Sequence, residues 1–278
     1  MNFILIQSDI IPDRISENLR HYEALLSSLK SNPDVIVFPE MFNCGFSPNL
    51  PQLAESLQGE SFHFLQSIAN RQHCDVVASM PVKIENKIFN RLIWINREGV
   101  MEHYDKRHLF FGEEKQFCTA GDKKVIVQKN GIRFLPLICY DVRFPVWCRN
   151  KYTPQCEDDI SSISDHHSSR FLYDCILIIA NFPAQRAQTL RLLAQARAIE
   201  NIAYVIICNR IGYDGNGNPH TGNSVLINPL GKVIAEAKNN EEELLSVMIE
   251  MPFLERLRRS FPQYKDWDCL NPNSAYFR

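Results

Sequence analysis

The sequence predicts an α/β fold in which helices cover more than one mixed β-sheet. Three observations support this prediction. Short apolar runs bounded by turn residues recur along the chain, segments with helical spacing of apolar residues separate some of these runs, and tight-turn sequences join others directly. Because parallel neighbours need a crossover and antiparallel neighbours can share a tight turn, we expect both kinds of pairing.

The apolar runs have the length and composition of buried strands. They span residues 3–6, 35–38, 75–80, 92–96, 125–128, 133–138, 175–180, 203–208, 224–227, 233–237 and 244–249. Helical periodicity occupies residues 15–30, 61–72 and 187–201, where apolar residues recur every three or four positions. Turn signals at Asn130-Gly131 and in residues 228–231 predict two hairpins.

The chain is predicted to form one domain over residues 1–278. Its 278 residues are 45% hydrophobic, which is enough for one large core, and neither a linker nor a repeat divides them. The exception is the polar segment 150–170, which lacks both apolar periods and is predicted as a surface insertion. Its His166-His167 pair could be imagined as a metal site, but adjacent histidines are more often simply solvated. The aromatic tail after Phe261 is expected to pack on the body or on another subunit.

Charge and cysteine content exclude several classes of function. The 30 Lys and Arg residues against 32 Asp and Glu residues leave a net charge of −2, so nucleic acid is not expected as a main partner. Gln7 and Asp9 interrupt the apolar N-terminus, which predicts a cytoplasmic protein with no signal or membrane span. The nine cysteines include no C-x-x-C pair and the sequence has no H-E-x-x-H, so reduced thiols and no metal site are expected.

Reactive side chains follow three of the predicted buried strands. Glu40, Cys139 and Asn181 each lie just beyond an apolar run. Ligands of open α/β sheets gather at the carboxyl ends of strands, so these positions are candidates for a site. A thiol such as Cys139 becomes a useful nucleophile if a nearby cation lowers its pKa and a base takes its proton. Cysteines inside strands, such as Cys175, are better interpreted as small hydrophobic residues.

Three motifs resemble the signatures of a known superfamily. FPEMF around Glu40, YDKRHLF around Lys106 and LICYDVRFP around Cys139 are similar, in the same order, to those of the nitrilase superfamily of carbon–nitrogen hydrolases. The similarity continues through GEEKQFCTAGD, NFPAQR and TGNSVLINPLG, and the chain resembles the branch of ω-amidases, which act on 2-oxo acid amides. The resemblance implies a four-layer α-β-β-α sandwich with two mixed sheets, a small amide substrate, no cofactor and a homodimer.

The resemblance also implies roles for individual residues. Cys139 would be the nucleophile, Glu40 the general base and Lys106 the cation beside the tetrahedral intermediate. Aligning TAG at residues 119–121 with the family pattern puts a second active-site carboxylate at Glu114, whereas the adjacent Glu113 is expected on an exposed loop.

Residues beside these motifs are candidates for substrate binding. Phe42, Tyr140 and Phe182 are predicted pocket walls, although aromatic residues near strand ends are more often core. Arg143 is a candidate for binding a substrate carboxylate, although an ion pair with Asp141 that braces the turn is the more common outcome for such neighbours.

Several functions remain open at this stage. One Glu-Lys-Cys set serves ω-amidases, other small aliphatic amidases, N-carbamoyl amidases and nitrilases alike. A catalytically silent scaffold that uses the insertion as its contact surface is an alternative of another class. A metal-sensing or redox-sensing role for the nine cysteines is a third.

Overall fold

The computed structural model describes residues 1–29, 31–99, 101–153 and 170–268. The strands are β1 (Asn2–Gln7), β2 (Val35–Val37), β3 (Asp75–Ile84), β4 (Lys87–Ile95), β5 (Met101–Asp105), β6 (Val127–Lys129), β7 (Ile132–Ile138), β8 (Cys175–Ala180), β9 (Tyr204–Asn209), β10 (Ile211–Tyr213), β11 (Pro219–Thr221), β12 (Val225–Ile227), β13 (Val233–Glu236) and β14 (Glu243–Met248). The helices are α1 (Ile15–Ser27), α2 (Leu50–Leu53), α3 (Glu60–Gln72), α4 (Glu113–Phe117), α5 (Pro145–Cys148), α6 (Ala187–Asn201) and α7 (Met251–Ser260). Within the described ranges, none of the helices has the length and hydropathy needed to cross a membrane.

The strands form two six-stranded mixed sheets. The first has the order β14-β1-β2-β3-β4-β5, and the second has the order β13-β12-β9-β8-β7-β6. In each sheet three consecutive strands are parallel, β1-β2-β3 in the first and β7-β8-β9 in the second, while the outer strands pair antiparallel. Helices α1 and α3 make the crossovers of the first parallel set, and tight turns join the antiparallel neighbours β3 and β4, β6 and β7, and β12 and β13. The predicted combination of both pairings is therefore confirmed.

The two sheets pack face to face with helices on their outer faces. Alternate side chains of strand β1 face the two neighbouring layers. Phe3 and Leu5 lie in the core between the sheets, whereas Ile4 and Ile6 lie among the residues of α1 and α3. The ring of Phe134 in the second sheet contacts Phe3 edge to face, with 5.7 Å between centroids. Helix α6 buries its apolar stripe against the second sheet. This arrangement confirms the expected four-layer α-β-β-α sandwich.

Seven of the described elements were absent from the sequence prediction, namely β5, β10, β11, α2, α4, α5 and α7. Strand β5 reads MEHYD and has no apolar run, because it is an edge strand in which Glu102 and His103 are exposed. Strands β10 and β11 form a separate two-stranded ribbon of three residues each. Helix α7 packs Leu254 and Leu257 against the core, but the arginines of its second half, including the buried Arg258, interrupt the apolar pattern in the sequence.

The predicted insertion lies mostly outside the described residues, but its two ends are held together. Thr153 N donates a hydrogen bond of 2.9 Å to Arg170 O, and Tyr152 and Phe171 form an isolated antiparallel bridge. The ring centroid of Tyr264, from the aromatic tail, lies 4.3 Å from the ring centroid of Tyr152 and 4.9 Å from that of Phe171. The described part of the tail therefore packs on the body, as expected.

Candidate active site

Side chains from both sheets meet where the strands end. Glu40 follows β2 and Lys106 follows β5 in the first sheet, whereas Cys139 follows β7 and Asn181 follows β8 in the second. Asn181 N donates to Glu40 Oε2 at 2.9 Å, so the two sheets are hydrogen-bonded to each other at this point. The geometry brings the three motif residues of the sequence together at the seam between the sheets.

Cys139 occupies a sharp turn from strand to helix. It is the first residue of a 3₁₀ turn, Cys139–Arg143, and its φ of 45° is in the left-handed region. Residues other than glycine or asparagine rarely adopt this conformation, which costs about 1–3 kcal/mol and needs support from the surrounding structure. The turn ends β7 abruptly and leaves the thiol at the floor of a cavity.

Asp141 supplies that support. Its Oδ2 accepts hydrogen bonds from Ile138 N at 3.1 Å and from Tyr104 Oη at 2.7 Å, and its Oδ1 accepts one from His108 N at 3.0 Å. His108 Nδ1 also lies 2.8 Å from Asp141 Oδ1. The expected ion pair between Asp141 and Arg143 is therefore wrong, because groups from β5 and the segment after it occupy both carboxylate oxygens.

Lys106 lies between two buried carboxylates. Its Nζ donates to Glu40 Oε1 at 2.7 Å and to Glu114 Oε2 at 2.8 Å, and none of the three side chains is more than 2% exposed. Asn90 Nδ2 in β4 also donates to both carboxylates, at 2.8 Å to Glu40 and 2.7 Å to Glu114. Sequence reasoning missed Asn90. The available signal was a polar residue, next to Arg91, within a strand of mostly apolar residues.

The two adjacent glutamates have different environments. Glu114 is buried in the short helix α4, and its Oε2 accepts a further hydrogen bond of 2.7 Å from Phe110 N. Glu113 is only half-buried and lies 3.4 Å from Asn216 Nδ2 at the cavity rim. The carboxylate beside Lys106 is thus Glu114, the position favoured from the sequence, and both residues belong to a helix rather than to a loop.

Burial and neighbouring charges set the protonation states of these groups. Burial disfavours the Lys106 ammonium, but the carboxylates of Glu114 and Glu40 outweigh burial and hold the pKa of Lys106 well above its usual range. Burial raises the pKa of Cys139 well above that of an ordinary thiol, the charge of Glu40 raises it further, and Lys106 only partly opposes both. The expectation of a lowered thiol pKa is therefore wrong. The raised pKa favours the neutral thiol form of Cys139.

A cavity of about 340 Å³ opens above Cys139. Its floor includes Glu40, Lys106 and Cys139. Its walls combine aromatic and polar residues, and two of the residues predicted to bind substrate, Tyr140 and Phe182, belong to them. The further aromatic wall residues are Phe46, Phe110 and Phe111.

Two other predicted binding residues lie outside the cavity lining. Phe42 is fully buried on the helix side of the first sheet, where its ring centroid is 5.2 Å from that of Phe38, so it is a core residue rather than a pocket wall. Arg143 Cζ lies 5.9 Å from the ring centroids of both Tyr140 and Phe182, and thus contacts the wall without belonging to the lining.

Several lining residues were not identified from the sequence, among them the charged Arg186 and the buried His220. Arg186, in the NFPAQR motif beyond β8, lies with Cζ 5.1 Å from the ring centroid of Phe110. His220 in β11 is buried, and burial together with the charge of Arg210 lowers its pKa to about 4, so its imidazole is neutral at physiological pH. The signal for Arg186 was its position after a strand end, the criterion that selected Asn181.

Comparison with known proteins places this geometry in context. The family model for carbon–nitrogen hydrolases matches residues 5–259. Omega-amidase YafV of Escherichia coli strain K12 is 36% identical over 270 residues, which cover 96% of this chain and 97% of that protein. The 2-oxoglutaramate amidase of Bacillus subtilis strain 168 is 29% identical, with 94% and 95% covered. The crystal structure of XC1258 from Xanthomonas campestris, a CN-hydrolase superfamily protein with an arsenic adduct in its active site, has a TM-score of 0.88 at 33% identity and covers 98% of both chains.

Proposed function

The chain belongs to the carbon–nitrogen hydrolase family, and from this premise we propose that it removes ammonia from the terminal amide of a small 2-oxo acid amide through a thioester on Cys139. Similarity to named amidases over nearly the whole length makes it an amidase hydrolase of the nitrilase superfamily. The substrate and the order of chemical steps are the proposed part.

One observation carries the proposed mechanism. Cys139, Glu40 and Lys106 lie together on the floor of a single cavity, and Glu40 accepts a hydrogen bond of 2.7 Å from Lys106 there. A nucleophile, a base and a fixed positive charge are the groups that acyl transfer requires. Because the resting thiol is neutral, the base must take its proton as the new bond forms.

The first half of the reaction forms the thioester. Glu40 accepts the proton of Cys139 while Sγ attacks the amide carbon, and the carbonyl oxygen becomes an oxyanion. The ammonium of Lys106 and the backbone N–H of Tyr140 stabilise this negative charge in a buried site, where such interactions are strong. Glu40 then gives its proton to the nitrogen, the carbon–nitrogen bond breaks, and ammonia leaves.

The second half returns the enzyme to its starting state. Water attacks the thioester carbon while Glu40 takes one of its protons, and the carbon–sulfur bond breaks to release the acid. Glu40 returns the proton to the sulfur of Cys139. Throughout both halves Glu114 holds Lys106 in position through its 2.8 Å hydrogen bond, so Glu114 has a positioning role in this scheme.

The substrate proposal follows from the relatives and from the size of the cavity. Proteins named as an omega-amidase and a 2-oxoglutaramate amidase match nearly the whole chain. A cavity of about 340 Å³ with aromatic walls suits a short substrate. The same catalytic set also serves other aliphatic amidases, N-carbamoyl amidases and nitrilases, so the choice of substrate needs a direct test.

Ammonia release across a small panel tests the proposal. The panel contains 2-oxoglutaramate, 2-oxosuccinamate, glutamine, asparagine, a carbamoyl amino acid and an aliphatic nitrile. We expect turnover of the two oxo-acid amides and a loss of at least about 10³-fold in kcat for Cys139→Ala, because the variant lacks the nucleophile. Cys74→Ala is the matched control, since Cys74 is a buried free thiol in the hydrophobic core outside the cavity.

Each contrary result has its own meaning. Substantial activity in Cys139→Ala would exclude the thioester mechanism. Turnover of the nitrile or the carbamoyl compound alone would replace the substrate assignment by one of the other family activities. No ammonia from any compound would favour the silent scaffold.

A further inference from the structure

We infer that Arg186 binds the carboxylate of the substrate, at the end opposite the scissile amide, and thereby sets the orientation in which the substrate binds. This inference rests on the proposed function and identifies the group that would select its substrate. It replaces Arg143, the candidate suggested by the sequence, with a residue that lines the cavity.

The first argument is the distribution of positive charge. Lys106 and Arg186 are the Lys and Arg side chains among the described residues that line the cavity. The ammonium of Lys106 is already paired with Glu40 and Glu114. The guanidinium of Arg186, by contrast, makes neither an ion pair nor a hydrogen bond with any residue in the described ranges, so its donors are available to a ligand.

The second argument is that the neighbouring carboxylates are occupied or distant. Glu113 and Asp214 also line the cavity, but neither lies within ion-pair distance of Arg186 in the described structure. Asp214 accepts hydrogen bonds from the backbone N–H groups of Asn216 and Asn218, at 2.9 and 2.8 Å, and from the Asn218 side chain. These contacts hold Asp214 on its own turn.

The third argument is that Phe110 contacts both Arg186 and Glu114. Arg186 ends the 3₁₀ turn Ala184–Arg186 just before α6, and its Cζ lies 5.1 Å from the ring centroid of Phe110. The backbone N–H of Phe110 donates to Glu114 Oε2 at 2.7 Å. The guanidinium is therefore held at a set position relative to Lys106 and the carboxylates around it.

The fourth argument concerns orientation. The cavity floor contains two carboxylates and one ammonium and is thus negative overall, so it repels a substrate carboxylate. Arg186 attracts the same group toward the wall. A molecule with one carboxylate and one terminal amide would therefore bind with the amide toward Cys139, and only in that direction.

A pair of substrates that differ in one charge tests the inference. We expect Arg186→Met to lower kcat/KM for glutaramate roughly 50-fold or more and to change kcat/KM for pentanamide less than about threefold, because only glutaramate carries the carboxylate. The kcat/KM of Arg186→Lys for glutaramate should lie between those of the wild type and Arg186→Met, since lysine keeps the charge and loses the planar guanidinium. Arg191→Met is a change of the same kind on α6 but outside the cavity lining. It should leave kcat/KM unchanged for both substrates.

Two kinetic results would overturn the inference. One is an equal loss, or no loss, for glutaramate and pentanamide in Arg186→Met. The other is a selective loss for glutaramate in Arg143→Met that Arg186→Met does not share.

A binding measurement separates this inference from the proposed reaction. Calorimetric titration of glutaramate into Cys139→Ala should give an affinity that falls by a similar factor in Cys139→Ala with Arg186→Met. If this holds while the wild type hydrolyses nothing, the reaction is wrong and the carboxylate site stands. If glutaramate fails to bind Cys139→Ala, or binds both variants equally, the carboxylate site is wrong whatever is hydrolysed.

Discussion

The buried groups around Lys106 depend on one another for charge and hydrogen bonds. Glu40 accepts hydrogen bonds from Lys106, Asn90 and Asn181 N, and Glu114 accepts from Lys106, Asn90 and Phe110 N. All of these partners are donors, which is the arrangement that stabilises carboxylates in a buried site. Removing one donor therefore leaves a buried charge without part of its compensation.

Asn90 provides a residue-scale test of this dependence. Asn90→Asp replaces the shared donor by a third carboxylate, and we expect kcat to fall about 100-fold or more. Burial already raises the pKa of Glu114, and the added negative charge should raise it further. Because activity requires ionised Glu114 and is lost as pH falls through its pKa, the acid limb of the kcat/KM profile should move to higher pH.

The control for this change is Asn70→Asp, on the exposed surface of α3. A pH profile of Asn90→Asp that keeps its wild-type acid limb, even with reduced kcat, would assign Asn90 a purely structural role.

Helix α7 illustrates how one residue can hold an element in place. Arg258 is buried, and its Nη1 donates to Asp174 Oδ1 at 2.6 Å, while its Nη2 donates to the carbonyl oxygens of Tyr173 and Ile202 at 3.0 Å each. Its Cζ also lies 3.7 Å from the ring centroid of Phe171. One guanidinium thus ties the helix to the start of β8 and to the end of α6.

An element-scale prediction follows for Arg258→Met. We expect the free energy of unfolding to fall by about 2–4 kcal/mol, because Asp174 stays buried and keeps only its contacts with Arg133, a 3.0 Å hydrogen bond from the backbone N–H and two 3.2 Å contacts with the guanidinium. Urea unfolding measures the difference, and Arg259→Met, on the exposed side of the same helix, should change stability by less than about 0.5 kcal/mol. Equal losses in the two variants would contradict the proposed anchoring.

The whole molecule has an apolar outer surface next to α6. Leu192 and Ile199 on this helix are 59% and 48% exposed, and Leu230 in the β12–β13 turn is 57% exposed. Gln195 of α6 donates a hydrogen bond of 2.8 Å to Gly231 O, so helix and turn are adjacent. Exposed apolar residues that cluster in this way are typical of association surfaces. We propose that this surface contributes to a homodimer.

Sedimentation velocity tests the dimer. The wild type should sediment with twice the mass of one chain, and the double variant Leu192→Glu, Ile199→Glu should shift toward the mass of a single chain, because two charges would be desolvated in the interface. Met248→Glu, at an equally exposed apolar position in β14, is the matched control. A wild type that sediments as a single chain would show that the surface serves no dimer.

Local sequence signals were sufficient for much of this protein. Apolar runs and helical periods predicted most strands and three of the helices, because both patterns depend on neighbours along the chain. Position after a strand end, together with the three motifs, selected Glu40, Lys106 and Cys139, which the structure brings to one cavity floor.

Only the tertiary structure decided what lies across the seam between the sheets. It brings Asn90 to both carboxylates, places Phe42 in the core rather than in the wall, and pairs Asp141 with β5 and its neighbours instead of Arg143. It also raises the pKa of Cys139, which depends on burial and on a carboxylate from the opposite sheet. Such properties arise from residues far apart in sequence, so local patterns of the chain do not contain them.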